Sequence, residues 1–572
     1  MPALCRIAPL LFLVGCSDSV WRGYTSPDPI VCSQYLQRCR AGASYCSADT
    51  MRMLCGSVSG VSEDIYDFRS PDPVDILFVI DNSTSMSPKQ KALAQAIPTF
   101  ISRLSLYIKD YHIGIVTSDV GTLPVGQTNF PGSTENRCNT ARGDDGILQN
   151  LPCSFRIPVS DQNTEFALAC KGAVNPLCPD PSFVPRDRWI ARNNVGVNVT
   201  PINPGALTTD EITQRAFQCI GFVGDYGCGV EAPLEAMKRA LDGHALENKG
   251  FLRDNSTLAV ILLTDEDDCS AQLEKRPYLN PRHKDCGSLD PDPDYECFNL
   301  DYRCISKSLI CNEPLNTPGK KTGCRERADS FLESTQKYAN FLLSIRPANK
   351  LVLAGAWAPS ILDHQANGYV GDGQLEIDGA AGDYSSNVLN RGQKTKAACY
   401  DPDPMMRLTT SPAGFFGQAQ LRLSSFIRQF PTSVFTEQNI CDVANYGKLF
   451  DGFAENTNAV SRTKCLSNPI PDGKDAVCAV GFVDVNQPNA VPDIFLPTCS
   501  AACCNAWASQ REPNAGNSTI IAACMPQPED CYCAVTSTAG RCPGTAVAGV
   551  WRQGNRAYPA AKVANFRCAT KP

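Results

Sequence analysis

Short apolar runs, recurring between stretches of helical spacing, constrain this chain more than any other feature. The first, Val74–Ile80, is mostly apolar, suits a strand buried on both faces, and runs directly into Asp81. Similar runs follow at 112–118 ("HIGIVTS"), at 256–268 ("STLAVILLTDEDD"), at Lys350–Ala356, and more briefly near Val434–Ile440. Between them, helical spacing is read from Pro88 to about Leu106, over Glu231–Leu241 and Ala328–Ile345, in "RLSSFIRQF", and in "VANYGKLFDGFAENT". Strand and helix in alternation predict an α/β fold: a doubly wound, mostly parallel sheet with helices on both faces.

Two long interruptions, at about 119–208 and 269–325, break that rhythm. Both are cysteine-bearing and follow the C-terminal end of a strand, the edge at which open α/β sheets bind ligands. The chain carries 30 cysteines among 572 residues, which points to an oxidising compartment and disulfide pairing. Cys531 with Cys533, and the adjacent Cys503 and Cys504, also have spacings open to zinc. In a disulfide-dense exported chain the expectation for them is disulfides. There are only four histidines and no HExxH, so histidine-based zinc chemistry is not expected.

The start of the chain, "MPALCRIAPLLFLVGCSDS", has an early Arg6 and an apolar run too short to span a bilayer as a helix. Residues 1–15 are read as a signal peptide ending in a lipobox-like Leu13-Val14-Gly15, with Cys16 as the lipidated residue. The alternative is an ordinary secretory signal that happens to be followed by a cysteine. Removing Cys5 and lipidating Cys16 leaves 28 cysteines, an even number that can all pair. On this reading the chain divides into a lipidated tether (16–31), a small Cys-rich segment (32–69), an α/β domain with the two insertions (70–464) and a Cys-rich C-terminal domain (465–572). Anchoring would be by lipid to a membrane, in a bacterial cell envelope, at the outer membrane or cell surface. A net charge of −7 without a basic stripe argues against nucleic acid as a partner.

The chemistry concentrates after the first strand, in "DNSTS". In extended chain, alternate residues point the same way, so Asp81, Ser83 and Ser85 converge. "LLTD" brings a second acid, Asp265, to the end of another strand. Two carboxylates and two hydroxyls make an all-oxygen site suited to Mg²⁺ or Ca²⁺. No P-loop, GxSxG or kinase set occurs, and no nucleophile or general base accompanies the acids, so an enzyme is not expected. The enzymatic alternative is a metal-dependent hydrolase built on the same acids.

Asp81-X-Ser83-X-Ser85 after an apolar strand, with "LLTD" much later, resembles the von Willebrand factor type A domain over about residues 70–460. Together with the lipobox, "GCGVE", "LLTDEDDCS" and "NICD", the chain resembles predicted von Willebrand A lipoproteins of myxobacteria. The resemblance implies a metal-ion-dependent adhesion site. Its serines bind the ion directly, its aspartates often act through water, and a protein partner's acidic side chain completes the coordination. It also exposes two departures. Cys228 stands where the family has a threonine, leaving water, Ser118 or Asp119 to substitute, and a disulfide of Cys228, for instance with Cys219, would remove it as a ligand. The second departure is Glu266, in place of the family's glycine, within an acidic run reaching Asp268. Either this run widens the site toward Ca²⁺, or Glu266 and Asp267 are solvated loop charges, which is the preferred reading. Arg142-Gly143-Asp144 spells an integrin-type tripeptide but reads as an ordinary polar turn.

Overall fold

The computed structural model describes residues 29–41, 48–55, 62–68, 71–121, 143–152, 182–199, 205–274, 304–358, 375–378, 394–400, 416–431, 435–466, 476–487, 495–510, 517–536, 546–559 and 561–570, apart from a few single positions. Isolated residues such as Cys46, Cys178 and Cys542 are described as well. The signal peptide, Cys16 and most of the tether lie outside the described residues. Among the described residues no helix is long and apolar enough to cross a membrane. The chain forms two compact units, one of residues 71–461 and one of 1–70 with 462–572.

The first unit is built on β1 (Val74–Ile80), α1 (Ser87–Tyr107), β2 (Tyr111–Thr117), β3 (Ile190–Arg192), α2 (Thr209–Gly221), α3 (Pro233–Leu241), β4 (Thr257–Leu263), α4 (Thr335–Ile345), β5 (Leu351–Trp357), α5 (Leu421–Ile427), β6 (Phe435–Asn439) and α6 (Tyr446–Arg462). Its sheet has the order β6-β5-β4-β1-β2-β3. All pairs are parallel except β2 with β3, so the insertion at 119–208 adds one antiparallel edge strand. Ile80 lies opposite both Thr117 and Leu263, and Leu263 opposite Ala356. The central strands therefore end flush, and the residue after each falls on one line.

Alternate residues of β1 serve the two faces. Ile76, Phe78 and Ile80 pack on one side with residues of α1, α2 and α6. Leu77 and Val79 pack on the other with α3, α4 and α5. Phe78 meets the rings of Phe217, Phe100, Phe450 and Phe453 at centroid distances of 4.8, 5.7, 6.3 and 6.5 Å. Fully burying one such side chain stabilises the fold by about 1.5–3 kcal/mol. Pro98 interrupts α1 and leaves the Ala94 carbonyl without its helical donor. Gln218 of α2 supplies one, its Nε2 donating to Ala94 O at 3.3 Å.

One helix and one helix start in this unit depart furthest from expectation. Helix α2 was not foreseen, although Thr208 and Glu211 form a capping box at its start. Helix α4 begins at Thr335 rather than Ala328, because Ser334 Oγ caps it by accepting from Gln336 N. Disulfides Cys178–Cys219, Cys269–Cys304, Cys311–Cys324 and Cys399–Cys441 pin the loops of this unit.

The second unit joins what the sequence reading kept as two separate segments. Strand Ser62–Tyr66 pairs antiparallel with Lys562–Thr570, which pairs in turn with Ala476–Asp484. A second sheet contains Lys464–Cys465, Ala546–Trp551 and Cys531–Thr536. The strand at 62–66 needs a distant edge to satisfy its backbone, and a partner some 500 residues away is invisible to local patterning. All ten cysteines from Cys465 to Cys568 are paired, as Cys465–Cys542, Cys478–Cys568, Cys499–Cys531, Cys503–Cys524 and Cys504–Cys533. Cys32–Cys55 and Cys39–Cys46 staple the helices at 29–40 and 48–55.

Candidate metal centre

The flush strand ends set the site. Asp81 N donates to Leu263 O at 2.9 Å and Ser118 N to Ile80 O at 3.3 Å, so the ladder runs one residue past the strands. Asp81 is 1% exposed. Its Oδ1 accepts from Ser83 N at 2.7 Å and Ser118 Oγ at 3.4 Å, and its Oδ2 from Thr264 Oγ1 at 2.8 Å. Burial, reinforced by the nearby Asp265 carboxylate, pushes the Asp81 carboxyl up to about 7.

The other three expected residues also come together. Ser83 Oγ lies 3.1 Å from Ser85 Oγ, which donates to Asp265 Oδ1 at 3.1 Å. Neighbouring ligands of an octahedral Mg²⁺, each at about 2.1 Å, are about 3.0 Å apart. The two spacings about Ser85 Oγ match that separation. Two acceptor oxygens in the adjoining loops, Asn82 Oδ1 and Gln420 Oε1, are buried without a hydrogen-bond donor. Gln420 Nε2 donates to Thr264 O and Glu266 O at 2.8 and 2.9 Å, which ties its loop to this corner. Asn82 packs so tightly on Gly227 that a Cβ there would fall 2.2 Å from Asn82 Oδ1.

Sequence reasoning missed Lys89. Its side chain is fully buried and its Nζ is ion-paired with Asp265 Oδ2. It also donates to Ser85 O at 3.2 Å. The available signal was a lysine four residues after Ser85, in the first turn of a helix.

Cys228 is fully buried and disulfide-bonded, so it offers neither a hydroxyl nor a thiolate. Its partner is not Cys219, which is bonded to Cys178. The Asp119 carboxylate accepts from Gly121 N at 2.9 Å and from Cys228 N at 3.4 Å. Ser118 Oγ donates to Asp81 Oδ1 at 3.4 Å.

The acidic run is not a set of solvated charges. Asp267 is 8% and Asp268 0% exposed. Asp267 accepts from the backbone of Arg422 and Leu423, capping α5, and burial pushes its carboxyl up to about 6. Asp268 accepts from Leu234 N at the start of α3, from Ser270 Oγ, and from the buried Arg422 guanidinium. Only Glu266 retains partial exposure, beside Gln418. Of the integrin-type tripeptide, Arg142 lies outside the described residues. The Asp144 carboxylate is occupied by Thr117 Oγ1 at 2.6 Å. The Sγ atoms of Cys499, Cys504 and Cys533 lie within 4.8 Å of one another, but each belongs to a disulfide and has no thiolate to offer.

No family model matches this chain, and no curated protein does. Among solved structures it is similar to a von Willebrand factor type A protein from Catenulispora acidiphila, at 10% identity and a TM-score of 0.22, covering 89% of this chain and 64% of that one. It is similar also to the pilus adhesin SpaC from Lactobacillus rhamnosus GG, at 9% identity and a TM-score of 0.25, covering 90% of this chain and 42% of that one. A third is the adhesive tip pilin of Group B Streptococcus agalactiae, at 9% identity and a TM-score of 0.23, covering 89% and 80%. The chain thus spans less than two thirds of the length of the first two. Identities and TM-scores this low leave the reading of the site to its own residues.

Proposed function

We propose that this chain is an exported, lipid-anchored binding protein, not an enzyme. Its α/β unit would present a divalent ion, Mg²⁺ or Ca²⁺, to an acidic group of a protein partner. Asp81, Ser83, Ser85 and Asp265 would hold the ion, the serines directly and Asp81 through water, since protein donors already occupy its carboxylate. When bound, the ion supplies an electrophilic position that a carboxylate can complete. The observation that carries this reading is that Ser85 Oγ lies 3.1 Å from both Ser83 Oγ and Asp265 Oδ1 at the sheet edge. Export is supported by the extent of disulfide pairing. Cys16 would carry the lipid, at the outer membrane or cell surface.

The test is calorimetric titration of Mg²⁺, Ca²⁺ and Mn²⁺ into the oxidised protein, beside the double variant Asp81→Ala/Asp265→Ala. Heat that saturates by millimolar metal and is lost in the variant supports the reading. Capture of an acidic partner should then disappear in chelator. A second reading, an envelope module with a vestigial site, is favoured by the disulfide on Cys228. Absence of binding at millimolar metal would select it.

A further inference from the structure

We infer that Lys89 is a built-in counter-cation of this site, and that a divalent ion enters only by displacing its ammonium from Asp265. The inference rests on the metal-binding reading and adds to it a residue that sets affinity. Three observations carry it. The Lys89 side chain has no solvent exposure and is ion-paired with Asp265, an expected metal ligand whose own side chain is also fully buried. Its ammonium also reaches Ser85 O, in the loop that supplies the two serine hydroxyls. Finally, Lys89 sits in the first turn of α1, which holds no acidic residue. A cation there opposes the helix dipole and is unfavourable without a compensating anion. Asp265 is that anion, drawn from 176 residues away.

Two carboxylates neutralise either one divalent ion or an ammonium with one charge to spare. Holding both cations would leave a net positive charge in a buried site, where like charges repel far more strongly than in water. The two therefore compete for Asp265. Lys89 has four rotatable side-chain bonds on which to retreat, whereas the short Asp265 side chain stays at the strand end.

The test is Mn²⁺ binding to the oxidised protein, followed by loss of the free-ion paramagnetic resonance signal. Wild type is compared with Lys89→Met, which removes the charge and keeps the length, and with Lys89→Arg, which keeps the charge. The expected result is at least tenfold tighter binding by Lys89→Met, with Lys89→Arg no tighter than wild type. Equal affinity of wild type and Lys89→Met overturns the displacement while leaving the metal reading intact. No binding by any of the three at millimolar Mn²⁺ overturns both. Acetylation of wild type, read by peptide mass spectrometry, gives a measurement that needs no variant to fold. Labelling of Lys89 should rise when Mn²⁺ binds, and unchanged labelling with Mn²⁺ bound overturns the inference.

Discussion

Two buried aspartates bracket strand β1, Asp75 near its start and Asp81 directly after its end, and the protein treats them oppositely. Asp75, at the N-terminal edge, accepts from Arg253 Nε at 2.8 Å, Arg253 N at 2.7 Å and Ser256 Oγ at 2.5 Å. Arg346 backs this up by donating to Ser256 O at 2.8 Å. Asp81, at the C-terminal edge, receives hydroxyls and one backbone N–H but no guanidinium. The first acid is neutralised permanently by a fixed cation, as a structural rivet is. The second is solvated by small neutral dipoles, and the nearby positive charge is a flexible lysine on its neighbour Asp265. The two ends of β1 thus differ: Asp75 is held by a guanidinium and Asp81 by neutral donors, and the metal-binding proposal rests on that difference.

The sharpest way to break this comparison is Asp75→Ala, which removes the buried acceptor of Arg253 Nε, Arg253 N and Ser256 Oγ at once and leaves the guanidinium with Asp110 as its remaining carboxylate. A loss of about 3–5 kcal/mol is expected in urea unfolding of the oxidised protein. A loss under about 1 kcal/mol would remove the rivet. Arg422→Met should come next, at about 3 kcal/mol, because it leaves the buried Asp268 without its cation. That would place the acids beyond Asp265 in the structural class with Asp75. Asp81→Asn keeps the size and most acceptors and should cost no more than about 1–2 kcal/mol without metal, while abolishing calorimetric metal binding. A cost matching that of Asp75→Ala would erase the distinction between the edges. Glu266→Gln should fall within about 0.5 kcal/mol, as expected for a partly exposed residue.

What was legible in the sequence follows the same division. The apolar strands and the acids after them are local patterns, and they name Asp81, Ser83, Ser85 and Asp265, which the fold brings together. The helices whose apolar spacing is regular were also legible. The partners that decide each acid's role were not. Lys89 and Asp265 are 176 residues apart, and Asp268 and Arg422 are 154 apart. A run of four acids reads as solvent-exposed until the buried arginine opposite it is known. Helix α2 shows a different kind of miss: its Thr208–Glu211 capping box is local and was readable, but it adjoins an irregular insertion that hid it.

The α/β unit begins and ends at one spot, with Asp72 N donating to Ser461 O at 2.9 Å. A pull applied at the opposite edge of the sheet therefore leaves the unit through two adjacent crossings of the chain rather than one. The tension divides between them, and neither β1 nor α6 is peeled alone from its end.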